Sequence, residues 1–185
     1  MTAAEFLVWE EKQPLCYEFD GFQPIAMTGG TAAHAALQRN LAIALGGRLR
    51  GQRCQLFGNN LKIEVAGKIR YPDGFVVCSP ISPAEKIIHD PVVIFEVLSD
   101  STARTDLVTK NHEYASTPSV QRYVILSQDE IAGAMFERIG REWVGRLLAE
   151  ESVLRMPEIG VEVPFAVFYE GIEFPRPDAE SQALA

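Results

Sequence analysis

The run Pro91–Ser99, P-V-V-I-F-E-V-L-S, limits what this chain can fold into more than any other stretch. β-Branched and aromatic residues dominate it, and Asp90-Pro91 and Ser99-Asp100-Ser101 bracket it. Such a run reads as a strand buried on both faces. Side chains alternate along a strand. Val92, Ile94, Glu96 and Leu98 therefore share one face, and Val93, Phe95 and Val97 the other. Ser99-Asp100-Ser101-Thr102 supplies cap residues for a helix over about 102–115, which ends before Pro118. A second apolar strand follows at 121–127. Strand, helix and strand in that order make a crossover, so the two strands are expected to lie parallel.

The carboxylate inside the first strand is the anomaly. Desolvating Glu96 costs several kcal/mol unless it is paired, protonated or bound to a metal. Asp73, in Y-P-D-G-F-V-V-C, enters another apolar strand 23 positions earlier. Two carboxylates converging from neighbouring strands, with one backbone carbonyl, suit a hard cation such as Mg²⁺, which keeps several of its waters. Such an ion activates water and stabilises charge on a phosphate oxygen. A lysine nearby would orient the water and add positive charge. On a helical wheel Ala103, Leu107, Lys110 and Tyr114 share one stripe, which places Lys110 toward the sheet. Each residue also has an ordinary reading. Glu96 is satisfied by Ser99, Ser101, Thr102 or backbone donors; Asp73 is a turn residue; Lys110 pairs with Asp106 at i,i+4.

The rest of the chain surrounds this crossover. Residues 3–12 form a short amphipathic helix stopped by Pro14. C-Y-E-F and Q-P-I-A-M flank Asp20-Gly21 as a hairpin. Thr31 caps a helix to about Leu49, with Leu37, Leu41, Leu45 and Leu49 as its core stripe. Gly29-Gly30-Thr31 lacks the spacing of a phosphate-binding loop and reads as a turn. Short strands are expected at 53–57, 60–65 and 69–78, a loop at 81–89, and an antiparallel hairpin at 132–138 and 141–148. One or two short elements fill 151–170. Residues 1–174 form one domain, and 175–185 read as a disordered tail.

Net charge is −8, which argues against a whole-surface polyanion binder. The charge is uneven, however. Between Arg39 and Arg70 there are seven basic residues and one acid, so the segment is either a solvated surface or a local basic face. Cys16, Cys54 and Cys78 are scattered and odd in number. They read as buried thiols in a reducing compartment. No apolar run approaches 18 residues, so the expectation is a soluble, cytoplasmic chain with no membrane partner.

Y-P-D-G-F-V-V, V-V-I-F-E-V-L-S-D-S-T, and the D-x-x-x-K-x-x-x-Y of Asp106, Lys110 and Tyr114 together resemble the Uma family of restriction-endonuclease-like proteins, in the PD-(D/E)XK nuclease superfamily. Y-E-F-D-G, A-M-T-G-G-T with His34 in the following helix, the strands after Cys54 and R-Y-V-I-L extend the resemblance over nearly the whole chain. It implies an α/β (α+β) fold, a restriction-endonuclease-like mixed β-sheet flanked by helices, with an N-terminal helix and hairpin. It further implies Mg²⁺-dependent hydrolysis of DNA phosphodiester bonds, Mn²⁺ as an alternative ion, and a homodimer. Asp73 matches the acid of the Pro-Asp motif and Glu96 that of the (D/E)-x-K motif; both would be catalytic metal ligands, with the Val97 carbonyl as a third. The superfamily's lysine position holds Leu98 here, and Lys110 is the position that matches this family's catalytic lysine. His34 is either a site-lining residue or a core histidine in the leucine stripe. Glu18 is either a further site acid or a surface strand residue. Two rivals use the same fold: a catalytically idle binding or assembly protein, and a metal-dependent phosphoesterase acting on another substrate.

Overall fold

The computed structural model describes residues 1–27, 29–98 and 105–174, with 105 and 106 by backbone alone. The caps at 99–102, the Asp106 side chain and the tail from Pro175 lie outside the described residues. In order, the elements are α1 (Ala3–Glu10), β1 (Tyr17–Phe19), β2 (Pro24–Ala26), α2 (Ala32–Leu49), β3 (Gln55–Gly58), β4 (Lys62–Val65), β5 (Lys68–Arg70), β6 (Gly74–Val77), β7 (Ile87–Ile88) and β8 (Val93–Leu98). A π-helical turn, Thr105–Lys110, then runs into α3 (Asn111–Ala115). The last strands are β9 (Arg122–Ser127), β10 (Ala132–Ile139), β11 (Glu142–Ala149), β12 (Val153–Met156) and β13 (Val161–Pro164).

β8 and β9 pair in parallel at the centre of a six-stranded sheet of order β11-β10-β9-β8-β6-β3. This is the crossover that the two apolar runs predict. Every other pairing in that sheet is antiparallel, so the sheet is mixed. The alternation of β8 sorts the core. Val93, Phe95 and Val97 join the leucine stripe of α2 on one face, together with Phe165 and Phe168 beyond β13. Ile94 joins Tyr114, Tyr123 and Ile125 on the other. A second sheet, β2-β1-β5-β4-β7, carries α1 through Phe6, Phe19 and Ile69.

Several elements differ from expectation. The crossover helix is π-wound over its described first part, with i→i+5 bonding. This wider winding leaves Leu107 exposed and off the sheet-facing stripe, whereas Lys110 and Tyr114 stay buried. The loop at 81–89 contains β7, two residues long, which pairs in parallel with β4. The cysteines also need correcting. Gln55 pairs with Val77 across β3 and β6, so Cys54 and Cys78 stand opposite each other one step further out and form a disulfide. Cys16 is free and exposed.

Two local features fix how the layers meet. Gly74 stands where α2 crosses β6; a Cβ there would lie 2.6 Å from Leu41 Cδ2. Glycine therefore lets the helix sit close to the strand that follows Asp73. The β4–β5 hairpin turns on Ala66-Gly67, with φ of 48° and 72°. A two-residue turn of this hand needs positive φ at both positions.

Candidate active site

Asp73 ends the extended segment before β6, and its carboxylate continues the β6–β8 ladder. The last ladder pair is Gly74 with Phe95. Beyond it, Asp73 Oδ2 accepts the Val97 N–H at 2.7 Å. Oδ1 faces α2. His34 Nε2 lies 2.8 Å away and the Gln38 amide donates at 2.6 Å. Thr31 fixes this end of α2, since its hydroxyl accepts the His34 N–H at 3.1 Å. His34 and Gln38 are one helical turn apart and so reach the same oxygen.

Glu96 is 4% exposed, on the β8 face that meets α3. Its Oε1 accepts from Lys110 Nζ at 2.9 Å and from the Tyr114 hydroxyl at 3.0 Å. Lys110 and Tyr114 are also one turn apart and act as a pair. Burial, and then the charge of Glu96, push the Tyr114 pKa well above the usual phenol range, so it stays a neutral donor. Ser99, Ser101 and Thr102, the hydroxyl donors of the ordinary reading, lie outside the described residues.

The ionic chain continues inward. Lys110 Nζ is 3.6 Å from Glu18 Oε1, and Glu18 Oε2 is 3.1 Å from Arg70 Nη1. Arg70 grips Glu113 with two bonds, of 2.8 and 2.7 Å. Burial works against the Arg70 charge, but Glu113 and Glu18 outweigh it and raise its pKa. The Tyr71 N–H holds Glu18 Oε1 at 3.1 Å, and the Tyr71 hydroxyl donates to Glu10 at 2.7 Å. Five charges thus alternate from Glu96 through Lys110, Glu18 and Arg70 to Glu113. Among the described residues these five sum to −1, and Asp73 meets β8 at Val97, the residue after Glu96.

Of the sequence candidates, Asp73, Glu96, Val97, Lys110, His34 and Glu18 all lie in this one region. His34 is not a core residue of the leucine stripe; it contacts Asp73 from the helix end. Glu18 is not a surface strand residue, because it bridges Lys110 and Arg70. Sequence reasoning missed Gln38, Arg70 and Glu113. Gln38 was legible as the residue one turn after His34. Arg70 and Glu113 are 43 positions apart, with no spacing that joins them. The basic segment Arg39–Arg70 does not form one face: Arg70 is buried, Lys62 is paired with Glu10, and Arg48, Arg50 and Arg53 are exposed near the end of α2. Among the described residues, no three or more His, Cys, Asp and Glu side chains are grouped to hold a metal ion. The oxygen donors at hand are the Asp73 and Glu96 carboxylates and the Val97 carbonyl.

The mixed sheet that carries Asp73 and Glu96 on neighbouring strands has a restriction-endonuclease-like nuclease fold. The solved structure of a "putative nuclease belonging to DUF820" from Anabaena variabilis superimposes with a TM-score of 0.75 at 17% identity, covering 91% of this chain and 97% of that one. The chain belongs to the Uma2 family, described as "Putative restriction endonuclease", whose model matches residues 3–166. Two relatives from Synechocystis sp. (strain PCC 6803) are similar over most of their length. The "Uncharacterized protein slr1290" is 28% identical over 94% of each chain. The "Uncharacterized protein sll1609" is 27% identical over 78% of this chain and 85% of its own. Among the described residues, no helix is long and apolar enough to cross a membrane.

Proposed function

We propose that this protein is a Mg²⁺-dependent endonuclease that hydrolyses DNA phosphodiester bonds, with Mn²⁺ as an alternative ion. One observation carries the reading: Lys110 Nζ lies 2.9 Å from Glu96, although the superfamily's lysine position is Leu98. A cation delivered from the crossover to a buried strand carboxylate is what a two-acid, one-lysine nuclease needs. Asp73, Glu96 and the Val97 carbonyl are hard oxygen donors of the kind Mg²⁺ takes. Bound there, the ion would lower the pKa of a water and stabilise charge on the phosphate. His34 and Gln38 hold the Asp73 carboxylate in place. Tyr114 holds Glu96, and Lys110 orients the attacking water from the Glu96 side and stabilises the developing charge. The same reading includes a homodimer, which sedimentation of the purified protein tests.

The test is cleavage of plasmid DNA with Mg²⁺ or Mn²⁺ by the wild type, Asp73→Ala, Glu96→Ala and Lys110→Met. Titration calorimetry of both ions, with and without an oligonucleotide, accompanies it. Cleavage by the wild type, lost at least a hundredfold in each variant with the fold retained, supports the assignment. Full activity in both acid variants overturns it. A wild type that binds neither ion nor DNA leaves the idle nuclease-fold binding protein as the better reading, in keeping with the −8 charge.

A further inference from the structure

Between α2 and β3 a groove leads away from Asp73. Its near part is a cavity of about 160 Å³ bounded by Gln38, Asn59, Asp73 and Gly74. Its far part, of about 460 Å³, is bounded by Gly46, Arg50 and Gln52. Ala42 and Leu56 border both, so the two parts adjoin. The α2 wall carries Gln38, Ala42 and Gly46 at i,i+4 spacing, so its side chains shrink as it runs outward. A Cβ at Gly46, or at Gly58 on the strand wall, would meet nothing within 4 Å, so both glycines face open space. Charge supplies the second observation. From Asn40 to Ile63 the chain has four bases and no acid, within a protein of net charge −8. Three of those bases, Arg48, Arg50 and Arg53, are exposed around the far end. Arg50 makes no hydrogen bond or ion pair among the described residues. Arg53 spends only its Nε, on the Cys78 carbonyl.

We propose that this groove seats the sugar-phosphate backbone of one DNA strand, with Arg50 and Arg53 on its phosphates and the scissile phosphate at Asp73. The inference rests on the nuclease reading and extends it to the substrate path. From Gln38 to Arg50 the helix spans roughly 18 Å at 1.5 Å per residue. That is the reach of a few consecutive phosphates along one strand. A smooth, side-chain-poor wall suits a backbone that must pass regardless of sequence. Cations at the far end fix its register without reading bases. The phosphates held there lie to one side of the cut, so the strand is gripped asymmetrically.

The experiment is fluorescence anisotropy with a labelled 20-base-pair duplex, without divalent ions, over a salt series. The proteins are the wild type, Arg50→Glu, Arg53→Glu, Gly46→Trp and Lys86→Glu. Lys86 is exposed and pairs with Glu11, away from the groove, so it controls for net charge. The expected result is at least a tenfold loss of affinity in both arginine variants and in Gly46→Trp, with Lys86→Glu close to wild type. Each arginine variant should also flatten the salt slope by about one unit for every phosphate it no longer neutralises. Gly46→Trp fills the groove without changing charge and should leave the slope intact. Wild-type binding and cleavage with unchanged affinity in the groove variants overturns the groove while leaving the nuclease reading standing. A wild type that neither binds nor cleaves overturns both. Retained melting transitions in each variant exclude misfolding as the cause.

Discussion

Arg70 shows how much of the region depends on single side chains. It is 1% exposed and neutralises two carboxylates from two other elements. Arg70→Met leaves Glu18 and Glu113 facing each other in a dry interior. Removing one partner from a buried ion pair costs about 3–5 kcal/mol. The variant should therefore melt well below wild type, by about 2–4 °C per kcal/mol in a domain of this size. Adding Glu113→Gln removes one stranded charge, and calorimetry should show part of the loss recovered. Residue scale is also where sequence reading was uneven. Glu96 stood out because a carboxylate in an apolar run needs a reason. Arg70 did not stand out, because an arginine beside K-I-R-Y reads as solvated until a distant glutamate is known to meet it.

At the scale of elements, periodicity was the legible part. The β-branched runs of β8 and β9 and the leucine stripe of α2 follow from alternation and 3.6-residue spacing, and their parallel crossover follows from the helix between them. What escaped was set by register or by unusual winding. The disulfide needs the pairing of Gln55 with Val77 to bring its cysteines opposite, and no spacing in the sequence encodes that. Titration of the denatured, unreduced chain should count one thiol, Cys16, and three after reduction. Cys54→Ser with Cys78→Ser should lower stability to urea by about 3 kcal/mol, the scale of a loop of this length. The β4–β5 turn makes the opposite prediction. Ala66 sits at φ 48°, a region that costs an ordinary residue about 1–2 kcal/mol. Ala66→Asn supplies the residue preferred there before glycine, and should raise the urea midpoint by about 1 kcal/mol of stability.

For the whole molecule, the buried tyrosines set the response to alkali. Burial pushes Tyr71, Tyr114 and Tyr169 above their ordinary pKa, with Glu10 and Glu96 adding to the first two. The folded chain then keeps phenol protons that the unfolded chain loses above about pH 10. There the unfolded state binds fewer protons, so stability falls as pH rises, by up to about 1.4 kcal/mol per pH unit for each tyrosine. Below about pH 10 their contribution is complete. Urea midpoints measured from pH 9 to 11.5 should show this decline, and Tyr169→Phe should make it shallower. The hydroxyl of Tyr169 donates to the Ala132 carbonyl at 2.8 Å and also meets the Ser127 backbone, so its removal leaves the ionic row unchanged.

The candidate site draws on β1, α2, the residue before β6, β8 and the crossover, with 39 positions between His34 and Asp73 and 14 between Glu96 and Lys110. Nothing short of the assembled sheet brings these groups together. On the ribosome, where a chain emerges at about 5–20 residues per second, the region would stay inert until Lys110 and Tyr114 had left the tunnel and docked. The groove matures no earlier, because its α2 wall takes its place against β13, Phe165 and Phe168 as well as against β8. Gripping and cutting nucleic acid would therefore become possible together, once the last part of the chain has docked.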